Sequence, residues 1–179
     1  MVAMMSYVLE TMNWFLKTAF GQSKTSFGGT KWDPLMGLGQ GNGAAPPGFL
    51  AVCTLMINVY RRLGHGTEFV GAWSRDAFML AAVLYIDDSD LLHMVKGYPT
   101  NAEFLALVQS ATDDWAGLVH ASGGFLKPQK CFWYMLGWRW VNGVPRLRKL
   151  CELPQTPLTI PQPDGTQVAI RLKDVNDPE

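Results

Sequence analysis

The chain has 179 residues, and its 15 lysines and arginines balance its 15 aspartates and glutamates, so its formal charge is zero. Hydrophobic residues make up 48% of the sequence, which excludes a disordered chain and is enough for one domain with a core. Its 3 cysteines lack C-x-x-C spacing, which excludes a disulfide scaffold and a zinc ribbon.

Two helices and a glycine-rich stretch are predicted in the first third. Apolar residues recur on one helical face over residues 5–19 and predict a helix that Gly21 ends. The glycine-rich stretch that follows predicts a loop or hairpin. Pro46 and Pro47 suit the first turn of a second helix, which Gly64 ends.

The middle of the chain predicts a hairpin and a third helix. The apolar run at residues 77–86 predicts a buried strand, and a second run at residues 91–95 predicts its return strand. The acidic residues at 87–90 would then form the tip of the hairpin. Thr100 and Glu103 match a capping box, which predicts that the third helix begins there, and Gly123 ends it.

The last part of the chain predicts a second hairpin and a tail. The pair Asn142-Gly143 is a strong turn signal within residues 131–150, and Pro145 marks the return strand as an edge. The proline-rich residues 151–179 predict a loosely ordered tail, in which 166–172 is the one candidate strand. The whole order predicts an α+β fold with helices packed on an antiparallel sheet.

Two adjacent carboxylates, Asp87 and Asp88, follow the predicted buried strand. Each disfavours ionisation of the other and burial disfavours both, whereas a bound divalent cation reverses that penalty. Hard oxygen ligands indicate Mg²⁺ or Mn²⁺ rather than zinc. The alternative is a solvated Asp-Asp turn, which is the commoner role. A second pair, Asp113 and Asp114, lies in a helix where neighbours point about 100° apart, and we interpret it as surface.

Four motifs over residues 39–141 resemble, in the same order, those of the reverse transcriptase palm. Residues 85–88, Tyr-Ile-Asp-Asp, resemble the Y-x-D-D catalytic box, and residues 39–47, with Gln-Gly-Asn-Gly before two prolines, resemble the Q-G box. Residues 123–131 resemble the glycine-lysine box, and residues 131–141 resemble the primer-grip hairpin. The Gln-Gly-Asn-Gly wording is most similar to polymerases of retrotransposon-like elements.

The resemblance implies an RNA-directed DNA polymerase that transfers nucleotides with two metal ions, Mg²⁺ or Mn²⁺. Its partners would be an RNA template, a DNA primer and deoxynucleoside triphosphates. Asp87 and Asp88 would be catalytic metal ligands, and Lys130 would act on the pyrophosphate leaving group. The implied nucleotide- and template-binding residues are Gln40, Gly41, Asn42 and Tyr85, and the implied primer-grip residues are Trp138, Arg139 and Trp140.

Each of these assignments has an ordinary structural alternative. A glycine run is commonly just a tight loop, Tyr85 suits any strand, and a single lysine such as Lys130 is usually a solvated charge. The tryptophans after residue 131 would equally suit the core face of a sheet edge.

One part of the polymerase pattern is missing. The family requires a further catalytic Asp on a strand before the Q-G box, and neither Glu10 nor Asp33 has the required position. We therefore expect residues 1–150 to form a partial palm, lacking fingers and thumb segments, that is not active alone. Its setting would be the nucleus or cytoplasm, and no apolar run reaches the ~20 residues of a membrane helix.

The alternative function is a non-enzymatic nucleic-acid-binding relic of such an element. Every charged residue from Lys127 to Lys149 is basic, whereas acidic residues dominate residues 76–114. The zero net charge therefore averages two patches of opposite sign. Cations interleaved with tryptophans suit a nucleic-acid backbone.

Overall fold

The computed structural model describes residues 13–28, 45–85, 88–95, 97 and 100–175. The chain divides into two compact units, residues 1–52 and 53–179. In the described part, two α-helices, α1 (Ala45–Arg62) and α2 (Asn101–Ala121), accompany short strands, so the predicted mixed α+β class is confirmed. Among the described residues, neither helix is long and apolar enough to cross a membrane.

The strands form several small sheets rather than the single antiparallel sheet that we expected. Among the described residues, the strands are β1 (Asn13–Thr18), β2 (Gly21–Gly28), β3 (Thr67–Val70), β4 (Ala77–Leu80), β5 (Ala82–Tyr85), β6 (Asp88–Leu91), β7 (Phe132–Trp133), β8 (Trp138–Val141), β9 (Val144–Leu147), β10 (Leu158–Pro161) and β11 (Gln167–Leu172). They form four two-stranded antiparallel sheets, which pair β1 with β2, β3 with β4, β5 with β6 and β8 with β9, and a three-stranded sheet with the order β10-β11-β7.

The predicted first helix is wrong over residues 13–19, because β1 and β2 form a hairpin there. Gly21, which we expected to end a helix, instead begins β2 with φ 121°, a backbone conformation that glycine adopts easily. The aromatic residues of β1, and Thr25 and Phe27 of β2, favour strands over helices. The earlier part of that predicted helix lies outside the described residues.

Helix α1 confirms the second predicted helix, with Pro46 and Pro47 in its first turn. Arg61 and Arg62 lie in its last turn, where the helix dipole favours cations. Gly64 follows with φ 93°, and its N–H donates to the carbonyl oxygen of Arg61 at 3.0 Å. This glycine therefore ends the helix in the way that the sequence predicts.

The predicted buried strand over residues 77–86 is wrong in two respects. It is two strands, β4 and β5, separated at the buried Ala81, and they pair with different partners. Phe78 and Met79 of β4 are exposed, and in β5 the residues alternate between half-buried and exposed. The partner of β4 is β3, where Phe69 stacks on Phe78 at 5.4 Å between ring centroids.

Helix α2 begins at the predicted capping box. The side chain of Thr100 accepts from the N–H of Glu103 at 3.2 Å, and the Glu103 carboxylate accepts from the N–H of Thr100 at 2.8 Å. The Thr100 N–H and the Thr100 hydroxyl both donate to the Glu103 carboxylate, and these two hydrogen bonds lower the pKa of that carboxyl below its ordinary value. The helix ends before Gly123, which has φ 89°, as predicted.

Helix α2 packs against two hydrophobic clusters in the second unit. Trp115 lies in one of them, the Tyr60 cluster, which also contains Tyr60, Ala81 and Ala111. Ala116 lies in the other, the Ile160 cluster, which also contains Trp133, Leu158, Ile160 and Ile170. The two clusters occupy different sides of the helix because adjacent helical residues point about 100° apart.

The second predicted hairpin is shorter than the sequence suggests. The Asn142-Gly143 turn between β8 and β9 is confirmed, with φ values of 51° and 77° that suit a tight hairpin. Residues 131–137 do not extend β8. Instead, β7 pairs in parallel with β11, with Trp133 opposite Leu172.

The prediction of a loosely ordered tail is wrong for the described residues up to 175. Leu158 and Ile160 of β10 and Ile170 of β11 are buried in the Ile160 cluster. The predicted strand at 166–172 is confirmed as β11. The prolines do not prevent these strands from forming, because they lie mostly in the turns and at the ends of the strands, where a missing N–H is tolerated.

Gln109 of α2 joins the helix to β10. Its side-chain Nε2 donates to the carbonyl oxygen of Thr159 at 2.9 Å, and its Oε1 accepts from the Thr159 N–H at 2.8 Å. The amide therefore pairs with one residue of β10 as a neighbouring strand would, and it satisfies both backbone groups of that residue.

We expect Ile160→Ala to destabilise the protein by about 2–5 kcal/mol, because it leaves a cavity in the Ile160 cluster. Urea denaturation of the purified chain measures the change in the free energy of unfolding. Val144→Ala, at an exposed residue of β9, is the control and should cost less than about 1 kcal/mol. Similar costs for both variants would contradict the position of β10 in the core.

We expect Gln109→Leu to cost about 2 kcal/mol, because two hydrogen bonds to Thr159 are lost and half-buried backbone groups stay unpaired. Gln129→Leu, at an exposed glutamine, is the matched control and should change the free energy of unfolding by less than about 0.5 kcal/mol. An unchanged midpoint of urea denaturation in Gln109→Leu would show that the amide does not hold β10 to the helix.

Candidate functional site

Several of the predicted site residues lie outside the part of the chain that the structure describes. These are Asp87 of the acidic pair and Gln40, Gly41 and Asn42 of the Q-G box. The described site residues are Tyr85, Asp88, Lys130, Trp138, Arg139 and Trp140. These residues lie in two hairpins and one short turn of the second unit.

The hairpin of β5 and β6 has one outward and one inward face. Tyr85 pairs with Asp88, and Val83 pairs with Asp90, so these four side chains share one face. All four are exposed, and Tyr85 is 72% exposed. On the opposite face, Leu84 and Leu91 pack against the Tyr60 cluster. The burial of those two leucines therefore turns the carboxylates outward.

The premise that the acidic pair follows a buried strand is wrong at Asp88. This residue is exposed and begins β6, so the burial penalty that favoured a cation does not apply to it. The structure adds Asp90, which the prediction placed at the hairpin tip without a role. Asp90 lies two residues after Asp88 in the same strand, and this spacing puts both carboxylates on one face. The spacing is visible in the sequence and could have indicated the pair.

The described carboxylates do not by themselves make a metal site. Within the described ranges, no three His, Cys, Asp or Glu side chains are grouped so that they could hold a metal ion. Asp88 and Asp90 are hard oxygen donors of the type that Mg²⁺ accepts, but two exposed donors leave most of an octahedral shell to water.

Lys130 ends a short 3₁₀ turn, Pro128–Lys130, which follows α2. Pro128 is buried and the lysine is exposed, so the turn directs its cation to solvent. The predicted role at a leaving group stays a prediction.

The hairpin of β8 and β9 separates its aromatic and cationic side chains. Trp138 and Trp140 lie on one face, and both are exposed, Trp140 by 74%. Arg139 lies on the other face opposite Arg146. Its guanidinium forms an ion pair with the carboxylate of Glu152 at 3.0 Å. A nucleic-acid strand that stacks on the tryptophans would therefore not contact Arg139 from the same side.

No protein-family model, curated protein or solved structure matches this chain. The resemblance to reverse transcriptases therefore depends on the sequence motifs. Of these, the Q-G box lies mostly outside the described residues, and the Y-x-D-D box lies partly outside them.

A cluster of polar aromatic residues lies at the end of α1, where the sequence indicated no role for histidine. His65 Nε2 lies 2.6 Å from Asp114 Oδ2, and because the carboxylate only accepts, this bond needs a proton on Nε2. The His65 ring lies 4.5 Å from that of Tyr60 and 5.2 Å from that of His93. Asp114 is thus a partner of a buried histidine, and our interpretation of it as a simple surface residue is wrong.

The surroundings of this cluster shift two pKa values in opposite directions. Burial, reinforced by the Asp114 carboxylate, raises the pKa of Tyr60 well above its ordinary value. Burial, reinforced by His65, lowers the pKa of His93. Both shifts favour the neutral side chain, and no sequence signal foretells them because His65 and Asp114 are 49 residues apart.

We expect the His93 shift to destabilise the protein in acid. The pKa of His93 is lower in the folded protein than in the unfolded chain, so the unfolded chain binds a proton there more readily. The neutral His93 ring therefore contributes its full stability above pH about 6.5, and this contribution is lost as the pH falls through the lower pKa of the folded state. The slope of the free energy of unfolding between pH 7 and 5 should therefore be smaller in His93→Phe than in the unmodified protein. His120→Phe, at an exposed histidine, is the control and should retain the slope.

Proposed function

We propose that the chain is part of the palm of an RNA-directed DNA polymerase from a retrotransposon-like element. The observation that carries the proposal is the hairpin of β5 and β6, in which Tyr85 and Asp88 of the Y-x-D-D box lie side by side on an exposed face. This exposed face would let the Asp88 carboxylate approach a primer terminus and its phosphates.

The order of the surrounding elements supports this proposal. The residues that resemble the Q-G box lead into α1, whose first turn contains Pro46 and Pro47. The glycine-lysine box follows α2, and a hairpin with exposed tryptophans comes next. The partners in this proposal are an RNA template, a DNA primer and deoxynucleoside triphosphates, in the nucleus or cytoplasm.

In this proposal, two exposed carboxylates, Asp88 and Asp90, hold a divalent cation too weakly for catalysis by this chain alone. In this proposal Asp87 and Asp88 hold Mg²⁺ or Mn²⁺ at the hairpin, and Asp90 adds negative charge on the same face. The metal would supply charge stabilisation in phosphoryl transfer. A further carboxylate, which the polymerase pattern requires before the Q-G box, has no counterpart at Glu10 or Asp33.

We expect Mn²⁺ to broaden the NMR signals of the β5-β6 hairpin selectively at millimolar concentration, without primer extension on an RNA template. Asp88→Asn should weaken the broadening, because it removes a carboxylate from the exposed face. Asp113→Asn, at an exposed aspartate of α2, is the matched control and should leave it unchanged. If the hairpin signals broaden equally in Asp88→Asn and in Asp113→Asn, the metal site is contradicted.

Primer extension by the same chain would test the second part of the proposal. Synthesis that is lost in Asp88→Asn but retained in Asp113→Asn would support the polymerase assignment and would overturn the inactivity of the isolated chain. Synthesis that persists in Asp88→Asn would point to a contaminating enzyme.

The exposed tryptophan face of the β8-β9 hairpin favours a second candidate function, non-enzymatic binding of nucleic acid. Trp138 and Trp140 are side by side at i and i+2, so successive bases could stack on them. Arg148 and Lys149 supply positive charge just beyond the return strand. This function would not use Asp88.

We expect Trp140→Ala to weaken binding of a fluorescein-labelled RNA–DNA hybrid by at least about fivefold, because a stacked base is lost. Lys149→Ala should lower the slope of log affinity against log salt by about 1, because this exposed lysine follows β9 and is not held on the Arg139 face by the strand. Trp73→Ala is the matched control, because that tryptophan is fully exposed in the loop between β3 and β4. Equal affinity of all three variants in anisotropy titrations would contradict binding at this hairpin, and an unchanged affinity in Asp88→Asn would separate it from the metal site.

A further inference from the structure

A row of exposed apolar residues, which we call the apolar stripe, runs from β7 into the β8-β9 hairpin. Every second residue along this segment is apolar and between 40% and 74% exposed. The alternate residues at its start face the protein, since Trp133 is buried and Cys131 and Met135 pack against the Ile160 cluster. The members of the apolar stripe are Phe132, Tyr134, Leu136, Trp138 and Trp140.

The return strand of the hairpin widens the apolar stripe. Pro145 pairs with Trp140, and Leu147 pairs with Trp138, so these four side chains share one face of β8 and β9. Pro145 is exposed and Leu147 is half-buried. Apolar residues that are exposed in a row, rather than singly, mark a surface where a partner or a membrane binds.

The charge beside the apolar stripe is positive. Every charged residue from Lys127 to Lys149 is basic, and the Lys173 ammonium lies 3.9 Å from the centroid of the Phe132 ring. Glu152 follows the first group and Asp174 follows Lys173, so cations remain in excess. Such a surface is complementary to one that is apolar beneath and negatively charged on top.

These features fit a lipid surface better than a nucleic-acid strand. Leu136 and Pro145 have no aromatic face on which a base could stack. Arg139 and Arg146 lie on the face opposite the tryptophans, where they would not contact a strand stacked on those rings. A charged bilayer attracts them without contact, because electrostatic attraction extends over a Debye length of about 10 Å. Tryptophan and tyrosine are also the residues that concentrate where lipid meets water.

We propose that the apolar stripe docks on the surface of a bilayer that contains anionic phospholipids. The rings of Tyr134, Trp138 and Trp140 lie among the headgroups, and the cations beside them are attracted to the negative charge of the lipids. This docking does not use Asp88, so it goes beyond the polymerase proposal. It shares both tryptophans with the second candidate function, nucleic-acid binding, and the experiment has to distinguish the two.

Cosedimentation of the full chain with sucrose-loaded vesicles tests the proposal. The chain should bind vesicles with about 30% phosphatidylserine at least about tenfold more tightly than pure phosphatidylcholine vesicles, and about 0.5 M NaCl should reduce that difference. Trp140→Ala should weaken binding to the anionic vesicles at least about fivefold, because an interfacial ring is lost. Trp73→Ala is the matched control, because that exposed tryptophan lies outside the apolar stripe, and it should bind as the unmodified chain does.

Leu136→Ser separates a membrane from a nucleic acid. It removes an aliphatic contact on which no base stacks, so it should weaken vesicle binding about threefold and leave the affinity for an RNA–DNA hybrid unchanged. Both altered residues are exposed, so each variant should keep the cooperative melt of the unmodified chain, and if one does not, the other decides.

Four results would overturn the proposal. These are no binding to anionic vesicles, equal binding to the two kinds of vesicle, unchanged vesicle binding in the folded variants, or weaker hybrid binding in Leu136→Ser while vesicle binding persists. The last result would assign the apolar stripe to nucleic acid.

Discussion

The second unit depends on burial of α2 on two sides. Trp115 and Ala116 are neighbours in sequence, yet each belongs to a different hydrophobic cluster. A helix covered in this way cannot rotate about its axis without exposing one cluster or the other. Small residues make close contact possible, since Ala111 and Ala116 are both buried where larger side chains would separate the elements.

The orientation of the acidic hairpin follows from this packing. Leu84 and Leu91 reach the Tyr60 cluster from the inward face of β5 and β6, and strand geometry then leaves Tyr85, Asp88 and Asp90 on the outward face. The candidate site is therefore positioned by apolar contacts made one residue away from it. Polar contacts act at the other cluster, where the Gln109 amide joins α2 to Thr159 of β10.

The sequence predicted well those elements whose signals are local. The capping box at Thr100, the glycine after α1 and the Asn142-Gly143 turn each act through hydrogen bonds or φ values within a few residues, and all three are confirmed. The prediction failed where distant pairing decides the structure. The apolar run at residues 77–86 divides because β4 and β5 have different partners, and the proline-rich residues form strands because they complete the Ile160 cluster.

The same distinction applies to the candidate site. The sequence motifs pointed to Asp88 and to the tryptophans of β8, which the structure places on exposed faces. They did not predict that Trp140 and Arg139 lie on opposite faces of the hairpin. They also indicated no role for His65 or His93, because the cluster that they form with Asp114 depends on contacts between residues far apart in the chain. Asp90 could have been recognised from its alternation with Asp88 along a strand.

The parallel pairing of β11 with β7 has a consequence for the order in which the protein folds during synthesis. Trp133 and Ala116 cannot complete their cluster until Leu158, Ile160 and Ile170 have left the ribosome, because those residues come later in the chain. One side of α2 is therefore open to solvent during that interval, whereas the residues of the Tyr60 cluster have all been made. The nascent chain exposes apolar surface for as long as this segment is being translated, which raises the risk of aggregation during that interval.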